Sequence, residues 1–516
     1  MLRNPSLPVE SPCSDRISPP TGGVGGSSLK SFADLLPEDR KALFRERPVV
    51  CIQGLGFVGA AMAAASAMAR NDGGDPCFNV VGVDLDTTRG RTAIDRVNDG
   101  RLPFATTDHA LASSLARASE RGNLVATADP AAYGLADVIL IDVNLDLAVD
   151  RPDFGKHGAL LQLAGFRQAI ATVGRWMRPD TLVIVETTVP PGTCERVVAP
   201  RLAATLGARG FDSDRLLLAH SYERVMPGAA HLDSIVDYWR VYAGHTPAAA
   251  DACGAFLSKI VNVADFPLRR LSSTTASETA KVLENSYRAV NIAFIEEWGR
   301  FAEAVGVDLF EVVDAIRQRP THSNIRQPGF GVGGYCLPKD PLMAYAAARE
   351  IFDLAHLDFP FCRMAVEINR GMPLVSVRSV QDLLGGSLEG KRIALLGISY
   401  RPDVADTRHA PAAIFVGEAR RRGATLQLHD PLVRHWLELD LEVPRALPDP
   451  AQVDALVFAT AHSIYRELDL RLWLRRARPA VLDANDVLTA EQRRAFTDLG
   501  CSVASIGRGS KAECGS

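Results

Sequence analysis

The sequence predicts an α/β protein with two Rossmann-like, doubly wound domains joined by a long central helix and a small helical domain. Short apolar runs alternate with helix-like stretches from "RPVVCIQGLG" onward, which is typical of a parallel sheet covered by helices. An almost unbroken helical period then extends from about Ser272 to Arg319,. A second alternation starting at "GKRIALLGISY" predicts the second doubly wound domain,.

The first domain is predicted over residues 47–265, after a disordered tail. Residues 1–46 include "SPPTGGVGGSSLKS" and have no sustained apolar period, so burial cannot offset the entropy lost on ordering. In "VVCIQGLGFVGAAMAAASAM" an apolar run passes through glycines into an alanine-rich stretch, which predicts a strand, a turn and a helix,. Further strands are predicted at "NVVGVDLD", "DVILIDVNLD" and "TLVIVETTVP",.

The central helical domain is predicted over residues 266–376, and it includes the glycine-rich loop "GVGGYCLPKD" (331–340). The last domain is predicted over residues 377–506, where "ATLQLHDP", "VDALVFAT" and "RPAVLDAND" follow the first strand,. The polar residues 507–516 are predicted to form a disordered tail,.

Composition excludes several classes of protein. The chain has 516 residues, 47% of them hydrophobic, a formal net charge of −4 and a pI near 6.3, so general attraction to nucleic acid or to an anionic membrane is not expected. Nine scattered cysteines show no disulfide framework and no zinc-like spacing,. No signal-like start and no apolar run of about 18 residues occur,. We expect a cytoplasmic protein without a metal, whose partners are small molecules or other protein chains.

The segment "GLGFVG" (54–59) has the G-x-G-x-x-G spacing directly between a predicted strand and helix. There the first glycine forms the turn, the second admits a pyrophosphate and the third lets the helix pack on the strand. Asp84 ends the next apolar run, where a carboxylate binds the adenosine ribose and repels a 2′-phosphate. The pattern favours NAD over NADP, although Asp86 or Arg91 can also reach the ribose, and a tight turn without any dinucleotide is the alternative. The predicted cofactor residues are Gly54, Gly56, Phe57, Val58, Gly59, Asp84, Arg89 and Thr188.

Two loops follow predicted strands at the edge where ligands of doubly wound sheets bind. "ETTVPPGT" (186–193) offers the Thr188 hydroxyl in a loop fixed by two prolines, and an ordinary strand-to-helix turn is the alternative,. "SYERVMPGA" (221–229) has Glu223 next to Arg224, for which a surface salt bridge is the alternative,.

The long helix and the loop after it supply more candidates. Lys281, Asn285 and Arg288 share one helical face,. Spacing alone favours a solvated face, although an ammonium and an amide in a cleft would suit an oxyanion. Cys336 is a small apolar filler or a nucleophile, and its flanking glycines, Lys339 and Asp340 argue for the nucleophile, because cations favour the thiolate.

Taken together, these motifs resemble those of the UDP-glucose/GDP-mannose dehydrogenase family of NAD-dependent nucleotide-sugar dehydrogenases. The resemblance covers about residues 49–506 and rests on the order of six segments: "GLGFVG", "TTVPPGT", "ERVMPG", "AKVLENSYRAVNIAF", "PGFGVGGYCLPKDP" and "GISYRPDVADTRHAPA". It implies an NAD-binding domain over residues 47–265, dimerisation through the central helix and a nucleotide-sugar-binding domain over residues 377–506. It also implies four-electron oxidation of a sugar's primary alcohol to a carboxylate.

The resemblance further implies a role for each matching residue. Cys336 is the expected nucleophile, Lys281 and Asn285 stabilise oxyanions, Asp340 is a general base with a water shared with Thr188, and Glu223 acts in thioester hydrolysis. The expected substrate-binding residues are Glu223, Arg224, Lys281, Asn285, Arg288, Gly331, Gly333, Gly334, Tyr335, Arg401 and Arg408.

The sequence departs from the family pattern in places that affect the choice of substrate. "IDVNLDLAVD", with Asn144, stands where a short Thr-Pro turn is common, and Tyr335 stands where serine or histidine is common. "TTVPPGT" and "ERVMPG" favour a UDP-N-acetylhexosamine over UDP-glucose, with GDP-mannose third. A two-electron hydroxyacid or sugar-phosphate dehydrogenase and a non-catalytic nucleotide-sugar sensor are the alternatives from other classes.

Overall fold

The computed structural model describes residue 44 and residues 47–148, 160–226 and 228–509. Most of the predicted N-terminal tail and residues 510–516 lie outside the described residues. Phe44 is the exception, because it is 7% exposed and packs into the core of the N-terminal sheet.

The N-terminal half contains a large, mostly parallel sheet. Its strand order is β10-β9-β8-β7-β4-β1-β2-β3, and of these neighbouring pairs only β8–β9 is antiparallel. The strands β5 and β6 form a separate antiparallel hairpin. In chain order, the strands are β1 (Val49–Gln53), β2 (Asn79–Val83), β3 (Leu124–Thr127), β4 (Val138–Ile141), β5 (Asp146–Leu147), β6 (Leu161–Gln162), β7 (Leu182–Val185), β8 (Leu217–His220), β9 (Val241–Gly244) and β10 (Arg269–Arg270).

Helices cover both faces of this sheet. Alternate residues of β1 point to opposite faces, so that Cys51 belongs to one apolar core and Val50 and Ile52 to the other,. Burial on both faces explains why the strands are continuous apolar runs. The helices are α1 (Phe57–Met68), α2 (Thr88–Asn98), α3 (His109–Arg121), α4 (Leu163–Trp176), α5 (Ala199–Ala208), α6 (Asp233–Val236) and α7 (Pro247–Leu257).

A long helix, α8 (Thr274–Val305), connects the two halves. The Ser273 side chain caps its first turn by accepting from Ala276 N at 3.1 Å, and Gly306, with φ +76°, ends it,. The helix packs against the last helix of the central region, where the small residues Ala289, Ala293 and Ala365 bring the two backbones together. The other central helices are α9 (Leu309–Arg317), α10 (Met343–Glu350) and α11 (Pro360–Leu383).

The C-terminal half repeats the parallel design. Its main sheet has the order β12-β11-β15-β16-β17, with all neighbours parallel, and β13–β14 is an antiparallel hairpin. Its elements are β11 (Arg392–Leu396), α12 (Pro411–Arg421), β12 (Thr425–His429), β13 (His435–Trp436), β14 (Leu441–Glu442), β15 (Ala455–Phe458), α13 (Ser463–Arg466), α14 (Leu470–Leu474), β16 (Ala480–Asp483), α15 (Ala490–Asp498) and β17 (Val503–Ser505).

The structure has the predicted fold class. The predicted division between residues 376 and 377 falls inside α11, whose Val377 and Val380 pack into the core of the C-terminal sheet. The chain also stays in the fold beyond residue 506, because Arg508 forms ion pairs with Asp308 and Asp486. No helix in the described ranges is both long and apolar enough to cross a bilayer.

Candidate active site

The glycine-rich turn after β1 leaves room for a ligand. Gly54 has φ +99°, and its N–H donates to Val83 O at 2.8 Å, so a residue with a side chain would be strained there. A Cβ on Gly59 would lie 1.8 Å from Gly54 O, which explains how closely α1 packs on the strand. A Cβ on Gly56 would meet no atom within 4 Å. The start of α1 is therefore open beside Gly56, as a pyrophosphate requires.

Asp84 lies at the end of β2, beside this turn. Its carboxylate accepts from Leu55 N at 2.8 Å and from Leu85 N at 2.7 Å, which orients the group and leaves lone pairs for ribose hydroxyls. Asp86 is bound to Arg91 instead, and Arg89 is exposed in the first turn of α2. The turn and Asp84 together fit the two ends of an adenosine diphosphate.

The loop that contains Cys336 is pressed against the C-terminal half. A Cβ on Gly333 would lie 2.5 Å from Tyr400 Cβ, and Gly334 N donates to Arg408 O at 2.9 Å. A Cβ on Gly331 would lie 2.6 Å from Pro411 Cβ. The glycines therefore permit contact between two parts of the protein, whereas the resemblance implied that they bind the substrate.

Asp340 is fully buried beside Cys336. It accepts from Asn285 Nδ2 at 2.7 Å and from Lys339 Nζ at 3.0 Å. Its backbone N–H donates to Cys336 O at 2.9 Å. The long helix and the Cys336 loop are thus joined through one carboxylate.

Lys281 lies one turn before Asn285 on α8 and is 7% exposed. Its Nζ donates to Glu223 O at 2.7 Å and is 3.9 Å from the Glu223 carboxylate. The solvated face that spacing alone favoured is therefore wrong for Lys281 and Asn285, because the central and N-terminal segments cover this end of the helix. Arg288, one turn further on, is exposed.

The Cys336 thiol is protonated in this environment. Burial and the nearby Asp340 carboxylate raise its pKa to about 12, although Lys281 and Lys339 act in the opposite direction,. The neighbouring cations favour the thiolate as expected, but burial and Asp340 outweigh them in the free protein. A thiol in this setting reacts as a nucleophile only if a base removes its proton in the same step.

The predicted arginines have different surroundings. Arg224 binds Glu284 and donates to Trp239 O at 2.7 Å. Arg408 donates to Asp406, with one contact at 2.6 Å, and its guanidinium lies 4.7 Å from the centre of the Phe57 ring. Arg401 is partly exposed on the loop after β11, and Thr188 is buried after β7.

Sequence reasoning missed a cleft between the two halves. Phe57 and Phe104 stack at 4.3 Å, His231 lies 5.6 Å beyond Phe104, and Val404 approaches from the C-terminal half. Burial lowers the pKa of His231 to about 4, so the ring is neutral at pH 7. Phe57 and Val404 stand in two of the six quoted segments, whereas Phe104 and His231 stand outside them, so no signal in the sequence shows that the four side chains meet.

It also missed a buried acidic pair at the ends of β4 and β7. Arg240 forms an ion pair with Glu186, while both Asp142 oxygens and one Glu186 oxygen are buried without a donor. Burial and repulsion by Glu186 raise the pKa of Asp142 well above its ordinary value, and burial raises that of Glu186 to about 7 although Arg240 acts in the opposite direction. In the described ranges, no group of three or more His, Cys, Asp or Glu side chains could hold a metal ion.

Comparison with known proteins gives the same assignment along the chain. Residues 49–260, 275–371 and 394–490 match the NAD-binding, central and UDP-binding domains of the UDP-glucose/GDP-mannose dehydrogenase family. A UDP-N-acetyl-D-mannosamine dehydrogenase of Pyrococcus horikoshii is 30% identical over 81% of this chain and 91% of its own length. An NDP-N-acetyl-D-galactosaminuronic acid dehydrogenase of Ralstonia solanacearum is 28% identical over 81% and 92%.

A solved structure shares the fold over most of both chains. The UDP-D-ManNAc dehydrogenase of Pyrococcus horikoshii has a TM-score of 0.72 at 26% identity and covers 89% of this chain and 99% of its own. The resemblance drawn from the six segments is confirmed. The prediction of NAD as the cofactor is confirmed by the NAD-binding domain match.

Proposed function

The chain belongs to the UDP-glucose/GDP-mannose dehydrogenase family of NAD-dependent oxidoreductases, and from that premise we propose that it oxidises the C6 alcohol of a UDP-linked N-acetylhexosamine to the uronic acid. The observation that carries the proposal is the grouping of the partly buried Cys336 with the buried Lys281, Asn285 and Asp340. An ordinary two-electron alcohol oxidation has no use for a thiol, whereas a four-electron oxidation does.

The residues that would hold NAD are Gly54 and Gly56 at the pyrophosphate and Asp84 at the ribose, and they fit because the turn is open beside Gly56. Bound NAD⁺ accepts the hydride in each of the two oxidations, so two NADH form per sugar. Arg89 and Asp86 lie beyond Asp84 at the start of α2, where they border the ribose end.

Lys281 and Asn285 act on the oxygen of C6. In the first oxidation C6 loses a hydride and its hydroxyl loses a proton to Asp340 through the water shared with Thr188, which gives the aldehyde. The Lys281 ammonium stabilises the oxyanion that precedes the aldehyde, with the Asn285 amide as a second donor. Both side chains are buried, so their charge and dipole act with little screening by water,.

Cys336 then captures the aldehyde. The sulfur–carbon bond forms as the thiol proton is removed and the carbonyl oxygen gains a proton, which gives a thiohemiacetal. Asp340 is the base suited to this transfer, because it lies beside the thiol and is fixed by two donors,. The raised thiol pKa keeps Cys336 protonated until that moment.

The second oxidation and hydrolysis complete the reaction. The thiohemiacetal loses a hydride from C6 and a proton from its hydroxyl, leaving a thioester. Water adds to the thioester carbonyl, the carbon–sulfur bond breaks, and the carboxylate leaves as the thiol regains a proton. Glu223 and Thr188 are the proposed groups that orient this water, and Glu223 lies 3.9 Å from Lys281 Nζ.

The C-terminal half is the proposed site of the nucleotide. Its UDP-binding domain match supports a UDP-sugar, and the relatives named for N-acetylmannosamine and N-acetylgalactosaminuronic acid support an N-acetylhexosamine. Tyr400 and Thr460 border a small pocket after β11 that we assign to the nucleotide site. Gly331, Tyr335, Arg401 and Arg408 border the path from there to Cys336. UDP-glucose and GDP-mannose are the alternative substrates.

A homodimer is proposed because α8 exposes a long apolar stripe. Its side chains recur on one face and are 48–66% exposed, an arrangement that usually packs on another chain. The stripe consists of Leu283, Tyr287, Phe294, Trp298, Phe301 and Val305. Every cysteine in the described ranges is free, which supports the proposed cytoplasmic location.

The experiment is the yield of NADH per sugar at limiting substrate. UDP-N-acetylmannosamine, UDP-N-acetylgalactosamine, UDP-N-acetylglucosamine, UDP-glucose and GDP-mannose are each given to the wild-type enzyme, to Cys336→Ser and to Cys362→Ser. Two NADH from one N-acetylhexosamine substrate, with Cys336→Ser stalled before acid release, supports the proposal. The Cys362 variant changes a partly exposed cysteine outside the cluster and should match wild type. One NADH per sugar, or an unaffected Cys336→Ser, would move the protein to the two-electron class.

A further inference from the structure

Tyr335 immediately precedes Cys336 and ties its loop to the N-terminal half. The Tyr335 hydroxyl donates to Asp146 Oδ1 at 2.6 Å, and it lies 3.2 Å from Leu145 O. Leu145 ends the turn after β4 and Asp146 begins β5, and both belong to the segment that departs from the family pattern. Burial and the Asp146 carboxylate raise the pKa of the phenol well above its ordinary value, so the hydroxyl keeps the proton that it donates.

The ring of Tyr335 is also held on its faces. Lys339 Nζ lies 4.2 Å from the ring centre, and the Arg408 guanidinium lies 5.8 Å from it. The same Arg408 guanidinium lies 4.7 Å from the centre of the Phe57 ring, at the end of the glycine-rich turn. One side chain thus contacts groups from the N-terminal half, the central loop and the C-terminal half.

The turn that receives the Tyr335 hydroxyl is itself fixed. Thr187 Oγ1 donates to Ile141 O at 3.0 Å and to Val143 O at 2.7 Å. On its other side, the Asp142 carbonyl abuts Gly54, where an added Cβ would lie 2.8 Å away. The turn therefore cannot move independently of the glycine-rich loop, and the Tyr335 bond transfers that constraint to the residue next to the thiol.

We propose that Tyr335 is a positioning residue whose hydrogen bond to Asp146 holds the Cys336 thiol at the C6 aldehyde, so that capture is faster than escape. The inference rests on the proposed function, because it concerns the thiol step between the two oxidations. The first oxidation does not use the thiol, so it should depend little on the bond between Tyr335 and Asp146. A loosened loop would instead release the aldehyde after one NADH.

The test compares Tyr335→Phe, Asp146→Ala and the double variant with wild type. Tyr465→Phe is the matched control, because it also removes a tyrosine hydroxyl that has a side-chain partner, His429 Nδ1 at 2.8 Å, but it lies in the core of the C-terminal half. NADH per sugar is measured with hydroxylamine present to trap free aldehyde. Alkylation of Cys336 by iodoacetamide is followed by peptide mass spectrometry, which reads the position of the thiol without any turnover.

Asp146→Ala should keep the initial rate of the first oxidation. In both single variants NADH per sugar should fall from two toward one, with trapped aldehyde accounting for the difference. Capture should slow by about tenfold, as expected for loss of a hydrogen bond to a charged partner. Alkylation of Cys336 should be faster than in wild type, and the double variant should be no worse than either single variant. Tyr465→Phe should match wild type in all three measurements.

Two NADH per sugar, no trapped aldehyde and unchanged alkylation in Tyr335→Phe would overturn the role of Tyr335 alone. One NADH from the wild-type enzyme would instead overturn the proposed function, and this inference with it.

Discussion

The two parallel sheets begin with the same turn but use it differently. Gly54 and Gly397 have φ +99° and +98°, and each donates its N–H to the last residue of the neighbouring strand at 2.8 Å. In both halves a carboxylate follows that strand, Asp84 in the first and Asp430 in the second. The difference lies in what surrounds that carboxylate, and it shows that a Rossmann-like turn alone does not define a cofactor site.

Asp84 is partly exposed and accepts from two backbone amides, so it can also accept from a ribose. Asp430 is fully buried and accepts from five groups besides Ile398 N, which close it to any ligand. Hydrogen bonds hold its pKa below the ordinary value in spite of burial. The other donors are Ser399 N, Ser399 Oγ, His462 Nε2, Leu432 N and Val433 N.

The Ser399, His462 and Asp430 side chains in the second half are not a hydrolytic triad. Ser399 Oγ and Asp430 Oδ2 both approach the same ring nitrogen, His462 Nε2, at 3.0 and 3.2 Å. The other ring nitrogen accepts from Asp403 N at 3.0 Å. A triad needs the serine and the carboxylate on opposite nitrogens. The network instead stabilises the loop after β11. Tyr400 and Arg408 belong to this loop and contact the Cys336 loop.

The largest expected effect is on stability, and it comes from replacing Asp430, the fully buried carboxylate of the second half. Asp430→Ala leaves several buried donors unpaired and should lower the free energy of unfolding by about 3–5 kcal/mol. Thermal or urea unfolding measures it, and NAD affinity, measured by fluorescence titration of the folded variant, should stay within about twofold of wild type. A stable Asp430→Ala protein that fails to bind NAD would contradict the assignment of the cofactor to the first half and of a structural role to Asp430.

The strand ends beside the turns give the next comparison. Asp142 and Glu186 follow β4 and β7, while Ala459 and Ala484 follow the corresponding strands β15 and β16. Arg240 is the cation paired with this acidic pair, and Glu223 adds repulsion. The raised pKa values mean that the folded protein keeps a proton which the unfolded chain loses, so stability should fall as pH rises above the ordinary carboxyl range toward the raised pKa of the pair.

Asp142→Asn removes that titration while keeping the shape. Between pH 5 and pH 8 its unfolding free energy should fall less steeply than that of wild type, by up to about 1.4 kcal/mol per pH unit. Melting temperatures measured across this range give the slopes. Parallel slopes for the two proteins would mean that the pair is fully ionised in the folded state.

Replacing Asp84, the partly exposed carboxylate of the first half, should lower NAD affinity and change stability little. Asp84→Asn should weaken NAD binding by about tenfold, because it loses charged acceptors for the ribose hydroxyls. Its unfolding temperature should change little, since the amide oxygen can still accept from Leu55 N. Binding is measured by titration, and wild-type NAD affinity in Asp84→Asn would exclude Asp84 from the ribose site.

The smallest effect is expected at Arg91, which pairs with Asp86 at the surface. An exposed ion pair contributes at most about 1 kcal/mol, so Arg91→Ala should leave the melting temperature and NAD affinity nearly unchanged. A clear loss of NAD affinity in this variant would place Arg91 among the ribose contacts.

The parts predicted from sequence are those fixed by local pattern. Buried parallel strands must be continuous apolar runs, and a turn like that at Gly54 requires glycine, so both sheets could be predicted. The burial of Lys281 could not, because a solvated stripe and a cleft-lining stripe have the same spacing. Neither could the bond between Tyr335 and Asp146, since the two residues lie far apart in sequence and meet only through the packing of the three parts.

The Cys336 loop packs on Tyr400 and Pro411, which lie later in the chain, so its support is synthesised after it. The proposed catalytic residues are all translated before the segment that supports their loop. An unfinished chain on the ribosome therefore has its thiol, its lysine and its glycine-rich turn but lacks the surface that seats them,. A chain that stops early therefore has the reactive groups but lacks the surface that holds the Cys336 loop in place to capture the aldehyde.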